Sequence, residues 1–159
     1  MENDIEKLKF PIGKYKAILE FNFSRTIEDI KTLESFANNL RASVKGLDKT
    51  DFKKSYRKGG MNIAQIIHHY CDTHTYAFLR TKHTLLEDNP SVKMYEVSEF
   101  LTTPESNVLD VEDSLKVIEG IHAKWVSLLK TLSEDDFNKT YYHSARDKNI
   151  ILHEHVGMY

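Results

Sequence analysis

Eight histidines in 159 residues are the chain's main stock of groups able to ligate a metal or move a proton near neutral pH. Four of them, His68, His69, His74 and His83, lie in one stretch, 62–87, which reads NIAQIIHHYCDTHTYAFLRTKHTLLE. Asp72, Cys71 and Arg80 belong to the same stretch. A catalytic zinc-type site needs two or three neutral imidazoles converging on a point, with one position left open. Within a single helix, convergence requires spacings of three or four residues. None of these histidine pairs has that spacing, so one of them would need partners from another helix. The competing reading makes them capping, core-edge or surface residues. Cys71 points away from His69 on a helix and reads as a buried, inert thiol rather than a nucleophile. His153-Glu154-His155 resembles a metal motif only in composition, because imidazoles two apart on a helix diverge. It is expected at the surface.

The stretch that carries the histidines reads as an amphipathic helix. Ile63, Ile66, Ile67, Tyr70, Ala77, Phe78 and Leu85 recur at three- and four-residue steps, the spacing of one helical face. Asn62 is a natural N-cap that Gln65 can answer in a capping box. At about 100° per residue, His69, Thr73, Tyr76 and Arg80 share a flank beside the apolar stripe.

Around it the chain supplies further helices. Residues 1–23 read as an N-terminal arm interrupted at Phe10-Pro11-Ile12-Gly13. A first long helix is expected from Thr26 to Val44, with Gly46 as its C-cap. Residues 47–61 form a polar connection whose basic run (Lys53, Lys54, Arg57, Lys58) faces water. The central helix stops near Asp88-Asn89-Pro90. A long crossover follows, with one short helix around Tyr95 to Leu101. A third long helix begins at Asp110 and carries Ile118, His122, Trp125 and Leu129 on one face. Ser133 caps a short turn, residues 141–149 read as a loop, and Ile150 to Tyr159 reads as the entry to a fourth helix. The fold expected is all-α, a four-helix bundle whose last helix is cut short in this chain, forming one domain over residues 1–159.

Composition narrows the function classes. A net charge of −2, from 22 basic and 24 acidic residues, gives no electrostatic case for a nucleic-acid or acidic-membrane partner. The opening MENDIEKLKF lacks the basic, then apolar, pattern of a secretory signal. No apolar run approaches the ~18–20 residues of a membrane span. One cysteine rules out an internal disulfide and suits a reducing compartment. A cytoplasmic, soluble protein is expected. No G-x-S-x-G, H-E-x-x-H, Walker or Rossmann pattern occurs.

Several stretches together resemble the YfiT-type branch of the DinB superfamily. They are Phe10-Pro11-Ile12-Gly13, Tyr56-Arg57-Lys58-Gly59-Gly60, His68-His69-x-x-Asp72-x-His74 with Arg80 and Lys82, and His122-x-x-Trp125-x-x-Leu128-Leu129. The resemblance implies a four-helix bundle, commonly a homodimer, with a three-histidine zinc or nickel site, one metal per complete chain. It also implies a metal-dependent hydrolase, or a thiol S-transferase using bacillithiol or a related low-molecular-weight thiol. Carried over residue by residue, the first ligand falls on His69, with Asp72 as a polar residue near the metal. The other two ligands belong to an H-x3-H that follows a motif like Val156-Gly157-Met158-Tyr159, and so are expected beyond Tyr159. Arg57 and Arg80 are candidates for holding an anionic group of a small-molecule substrate, against salt bridging as the plainer role. The alternative to an enzyme is a non-catalytic dimeric module that binds a metal or a partner.

Overall fold

The structure, a computed structural model, describes residues 2–17, 20–93 and 95–159. Met1, Ile18 and Leu19 of the expected arm lie outside the described residues, as does Met94 in the crossover. A helix, α1 (Glu2–Lys9), opens the chain. The long helix α2 (Phe23–Val44) starts earlier than Thr26 because Asn22 is the working cap, its side chain accepting from the Arg25 N–H at 2.9 Å. The Thr26 hydroxyl instead bonds back to the Asn22 carbonyl at 3.0 Å. After a single turn, α3 (Lys49–Phe52), comes the central helix α4 (Ile63–Leu86), and its capping box is the one expected. The Gln65 N–H donates to Asn62 at 2.8 Å, and the Asn62 N–H donates to Gln65 at 3.0 Å.

The crossover holds a two-residue strand, β1 (Ser91–Val92), and a short helix, α5 (Val97–Phe100). Then comes α6 (Glu112–Leu129), its first turn supported by Asp110 accepting from the Glu112 N–H at 3.0 Å. The capped turn α7 (Glu134–Phe137) follows, with Ser133 and Asp136 answering one another. The segment expected as a loop at 141–149 is instead a hairpin of β2 (Thr140–His143) and β3 (Lys148–Ile151), closed by Asp147 in the left-handed region (φ 46°). Asp tolerates that conformation better than most residues. Tyr141 pairs with Ile150 across the hairpin, both buried, which is why these two short strands hold. Finally α8 (Leu152–Gly157) turns back into the body.

The molecule is predominantly helical, with α6 packed against α2 and α4, and α8 wedged between α2, α4 and α7. Leu33, Ala77, Trp125, Leu129, Leu152 and Val156 form the main core at 0–1% exposure. Each large aliphatic or aromatic side chain there stabilises the fold by roughly 1.5–3 kcal/mol. Trp125 is thus a core residue, as its stripe implied. A Cβ on Gly157 would meet the Asp29 carboxylate at 3.0 Å, so glycine lets α8 approach α2 closely. The strand order is β1-β2-β3, with β1 parallel to β2. That pairing ties the segment after α4 to the hairpin and brings Tyr95, His143 and Arg146 to the flank of α4 that carries His69 and Arg80.

Candidate functional site

The flank seen in the sequence is the lining of a site. His69 is half-buried on α4, and its Nδ1 is hydrogen-bonded to the Tyr95 hydroxyl, with the Thr73 hydroxyl 3.4 Å from both. Tyr95 is held in place by stacking on Tyr76 (ring centroids 5.2 Å apart) and by an edge contact with Phe100 (4.5 Å). Burial pushes the Tyr95 phenol up to about 12, so it stays protonated, and its oxygen still has a lone pair to accept from Nδ1–H of His69. In that arrangement Nε2 of His69 presents its lone pair, as a metal-ligating histidine with an oriented second nitrogen does. Burial also lowers the pKa of His69, which keeps the imidazole neutral.

His68, His74, His122 and His155 are held inside the fold. Nδ1–H of His122 donates to the Leu33 carbonyl at 2.7 Å, which leaves its Nε2 to accept from Nδ1–H of His74 at 2.8 Å. Both rings stack on Phe36. His68 donates from Nε2 to the Val108 carbonyl (3.1 Å) and accepts at Nδ1 from Ser114 (2.8 Å). His155 donates to the Ala77 carbonyl (3.0 Å) and accepts from the Tyr141 hydroxyl (2.9 Å). Burial holds His74 and His155 down to about 3. His83 is exposed beside Glu87 at the end of α4.

The expectation that His153-Glu154-His155 lies at the surface is overturned: the three are 6%, 3% and 0% exposed. The imidazoles do diverge, but α8 is enclosed on all sides, so each direction meets protein. Cys71 is half-buried, and burial together with the nearby Asp72 charge raises its pKa, which is the condition of an unreactive thiol.

Asp72 lies one turn from His69, where burial and the charge of Glu105 raise its pKa. Its charge is felt at Tyr95, the partner of His69. The two arginines are separated. Arg57 sits before α4, its Nε donating to the Tyr56 hydroxyl at 3.1 Å and Nη1 to the Lys58 carbonyl at 3.3 Å. Arg80 is buried on α4 at 7% exposure and lines a cavity of about 300 Å³ with Thr73, Tyr95, Tyr141, His143, Arg146 and Tyr159. Tyr95, Arg146 and Tyr159 were not singled out by the sequence. They arrive from a loop, a hairpin turn and the residues after α8, where no periodicity marks their direction.

The donor chemistry can be tested against a divalent metal. Imidazole suits zinc and nickel, and His69 fits as one ligand. Among the described residues no group of three or more His, Cys, Asp or Glu side chains is placed to hold an ion. A single imidazole does not retain zinc usefully, so the described residues alone do not make a metal site.

A helical bundle with a half-buried, oriented histidine on its central helix defines the class. Residues 32–156 match the family model of the DinB superfamily, and the chain belongs to that family. A "Putative metal-dependent hydrolase" of Geobacillus thermodenitrificans is 38% identical over 135 residues, covering 85% of this chain and 76% of the relative. A protein of the same description from Oceanobacillus iheyensis is 34% identical, covering 95% and 87%. The solved structure of YfiT from Bacillus subtilis, described as "a probable metal-dependent hydrolase with an unusual four-helix bundle topology", superposes with a TM-score of 0.92. It is 28% identical and covers 95% of this chain and 86% of its own. The four-helix bundle expected from the sequence is the fold of this family.

Proposed function

We propose that the protein is a metal-dependent hydrolase or a thiol S-transferase of the bacillithiol type, acting on a small molecule with a divalent zinc or nickel ion bound through His69. The observation that carries this reading is the state of His69: alone on α4 it combines a neutral, half-buried ring, a fixed Nδ1 partner in Tyr95 and an uncommitted Nε2. Names of the relatives support the metal dependence. The family resemblance implies two further histidines to complete the ligand set, and the active unit would be a homodimer.

When bound, such an ion would lower the pKa of a coordinated thiol or water and so supply a nucleophile at neutral pH. The chain's own part is positional. Tyr95 fixes the ring plane and tautomer of His69, and the aromatic wall of Tyr76, Tyr95 and Phe100 excludes water from that side. Asp72 adds negative charge near the Tyr95 hydroxyl. The test is turnover of a chromogenic ester, and of a low-molecular-weight thiol with a soft electrophile, before and after chelation. Either activity should vanish on chelation and return with zinc or nickel, and should be absent in His69→Ala. Turnover unaffected by both treatments would remove the metal from the reading.

A further inference from the structure

Arg80 poses a problem that the metal reading does not address. Its side chain is 93% buried by the residue's 7% exposure, yet none of the described carboxylates pairs with it. Its Nη1 donates to the Tyr159 hydroxyl at 3.3 Å, its Nε has no hydrogen-bond partner, and its guanidinium carbon sits 5.7 Å over the Tyr76 ring. A buried cation with a phenol, a ring face and nothing negative is costly. It persists where a bound anion completes it.

The surroundings match that need. The cavity beside Arg80 is also lined by Arg146, an exposed arginine whose only side-chain hydrogen bond among the described residues is from Nη1 to the Met158 sulfur at 3.2 Å. Both guanidinium charges act on Tyr141, Tyr159, His143 and His155, so the two fields overlap in one space. None of the described carboxylates lines that space. Glu154, felt at Tyr141, is already paired with Lys148 at 3.2 Å. Hydroxyls of Thr73, Tyr95 and Tyr141 supply further polar contacts, and Thr73 and Tyr95 are the groups that touch His69.

We infer that this cavity binds the oxyanion, a carboxylate or a phosphate, of the small-molecule substrate, with Arg80 as the buried anchor and Arg146 as the charge at its rim. Arginine is suited to this because its fork matches two oxygens of such a group. The inference rests on the reading of the His69 neighbourhood as the reaction site, and it names the substrate class: a small acid whose anionic end lies in the Arg80 cavity and whose reacting end faces His69. Arg57, remote from this cavity, has no part in it.

Isothermal titration of the full protein with inorganic phosphate, and separately with succinate, at low ionic strength tests this. Saturable binding of one of the two anions is expected, and which one binds tells phosphate from carboxylate. Losing one charge-assisted contact should weaken binding about tenfold or more in Arg80→Gln, and several-fold in the exposed Arg146→Ala, which keeps the fold if the buried variant does not. His69→Ala and chelated protein should still bind the anion. Absence of binding to both anions, or wild-type binding in both arginine variants, overturns the inference. Binding lost on chelation and in His69→Ala, but kept in the arginine variants, would place the anion on the metal: that overturns this inference and leaves the metal reading standing.

Discussion

Two groups of polar side chains gathered around α4 differ in one respect. On the inner side, His74 is joined through His122 to the Leu33 carbonyl. A little further along, the Ala77 carbonyl receives His155, whose other nitrogen takes the Tyr141 hydroxyl. Every ring nitrogen of His122 and His155 is spent inside the fold. On the flank, His69 commits only Nδ1, and Arg80 is buried with one phenol for company. His122 and His155, with both ring nitrogens bonded, are structural, whereas His69 and Arg80 have bonding capacity left over. Burial does not separate these two pairs, since Arg80 is buried too; completeness of partners does.

The comparison predicts its largest effect on the closed side. His122→Ala leaves Nδ1–H of His74 and the Leu33 carbonyl without their partner and opens a void beside Phe36, and should cost roughly 3 kcal/mol or more, read as a lower urea midpoint. Retention of the wild-type midpoint would break the distinction. The pH dependence comes next. His155 and His74 are held near 3 in the fold, whereas an imidazole in the unfolded chain titrates near 6.5. The unfolded chain therefore takes up protons first as pH falls. Stability is complete above about pH 6.5, drops through the window down to about 3, and falls no further from these groups below it. Thermal melts at pH 8, 7, 5.5 and 4.5 should show a plateau and then a decline, with a flat profile counting against neutral buried rings.

On the open side the effects move from stability to binding. Tyr95→Phe removes the group that orients His69 and should weaken zinc affinity about 10–100-fold, with a change in stability of about 1 kcal/mol or less. Competition with a chromogenic chelator measures the first and a urea melt the second. The smallest change is expected at His83, exposed and paired with Glu87. His83→Ala should stay within about 0.5 kcal/mol of wild type and keep its metal content.

Much of this was legible in the sequence because α4 obeys local rules. Asn62 and Gln65 announce its start, and a rotation of about 100° per residue gathers His69, Thr73, Tyr76 and Arg80 onto one flank. What that flank faces was not legible. Tyr95 and Arg146 reach the site through the β1–β2 pairing, a contact between segments about 50 residues apart that leaves no local pattern. The hairpin at 140–151 escaped because its strands have four residues each and its turn uses Asp147 rather than glycine. His153-Glu154-His155 was misplaced for a related reason: divergence on a helix means exposure only when one side of that helix is free, and α8 has no free side.

The most direct measurement is metal content and unfolding midpoint on the same preparation of His69→Ala beside wild type. The account predicts that the zinc or nickel retained by the wild type is lost in His69→Ala, with the midpoint moved by about 1 kcal/mol or less because His69 is half-buried and holds no core contact together. Wild-type metal content in His69→Ala, or a stability loss as large as that of His122→Ala, would contradict it.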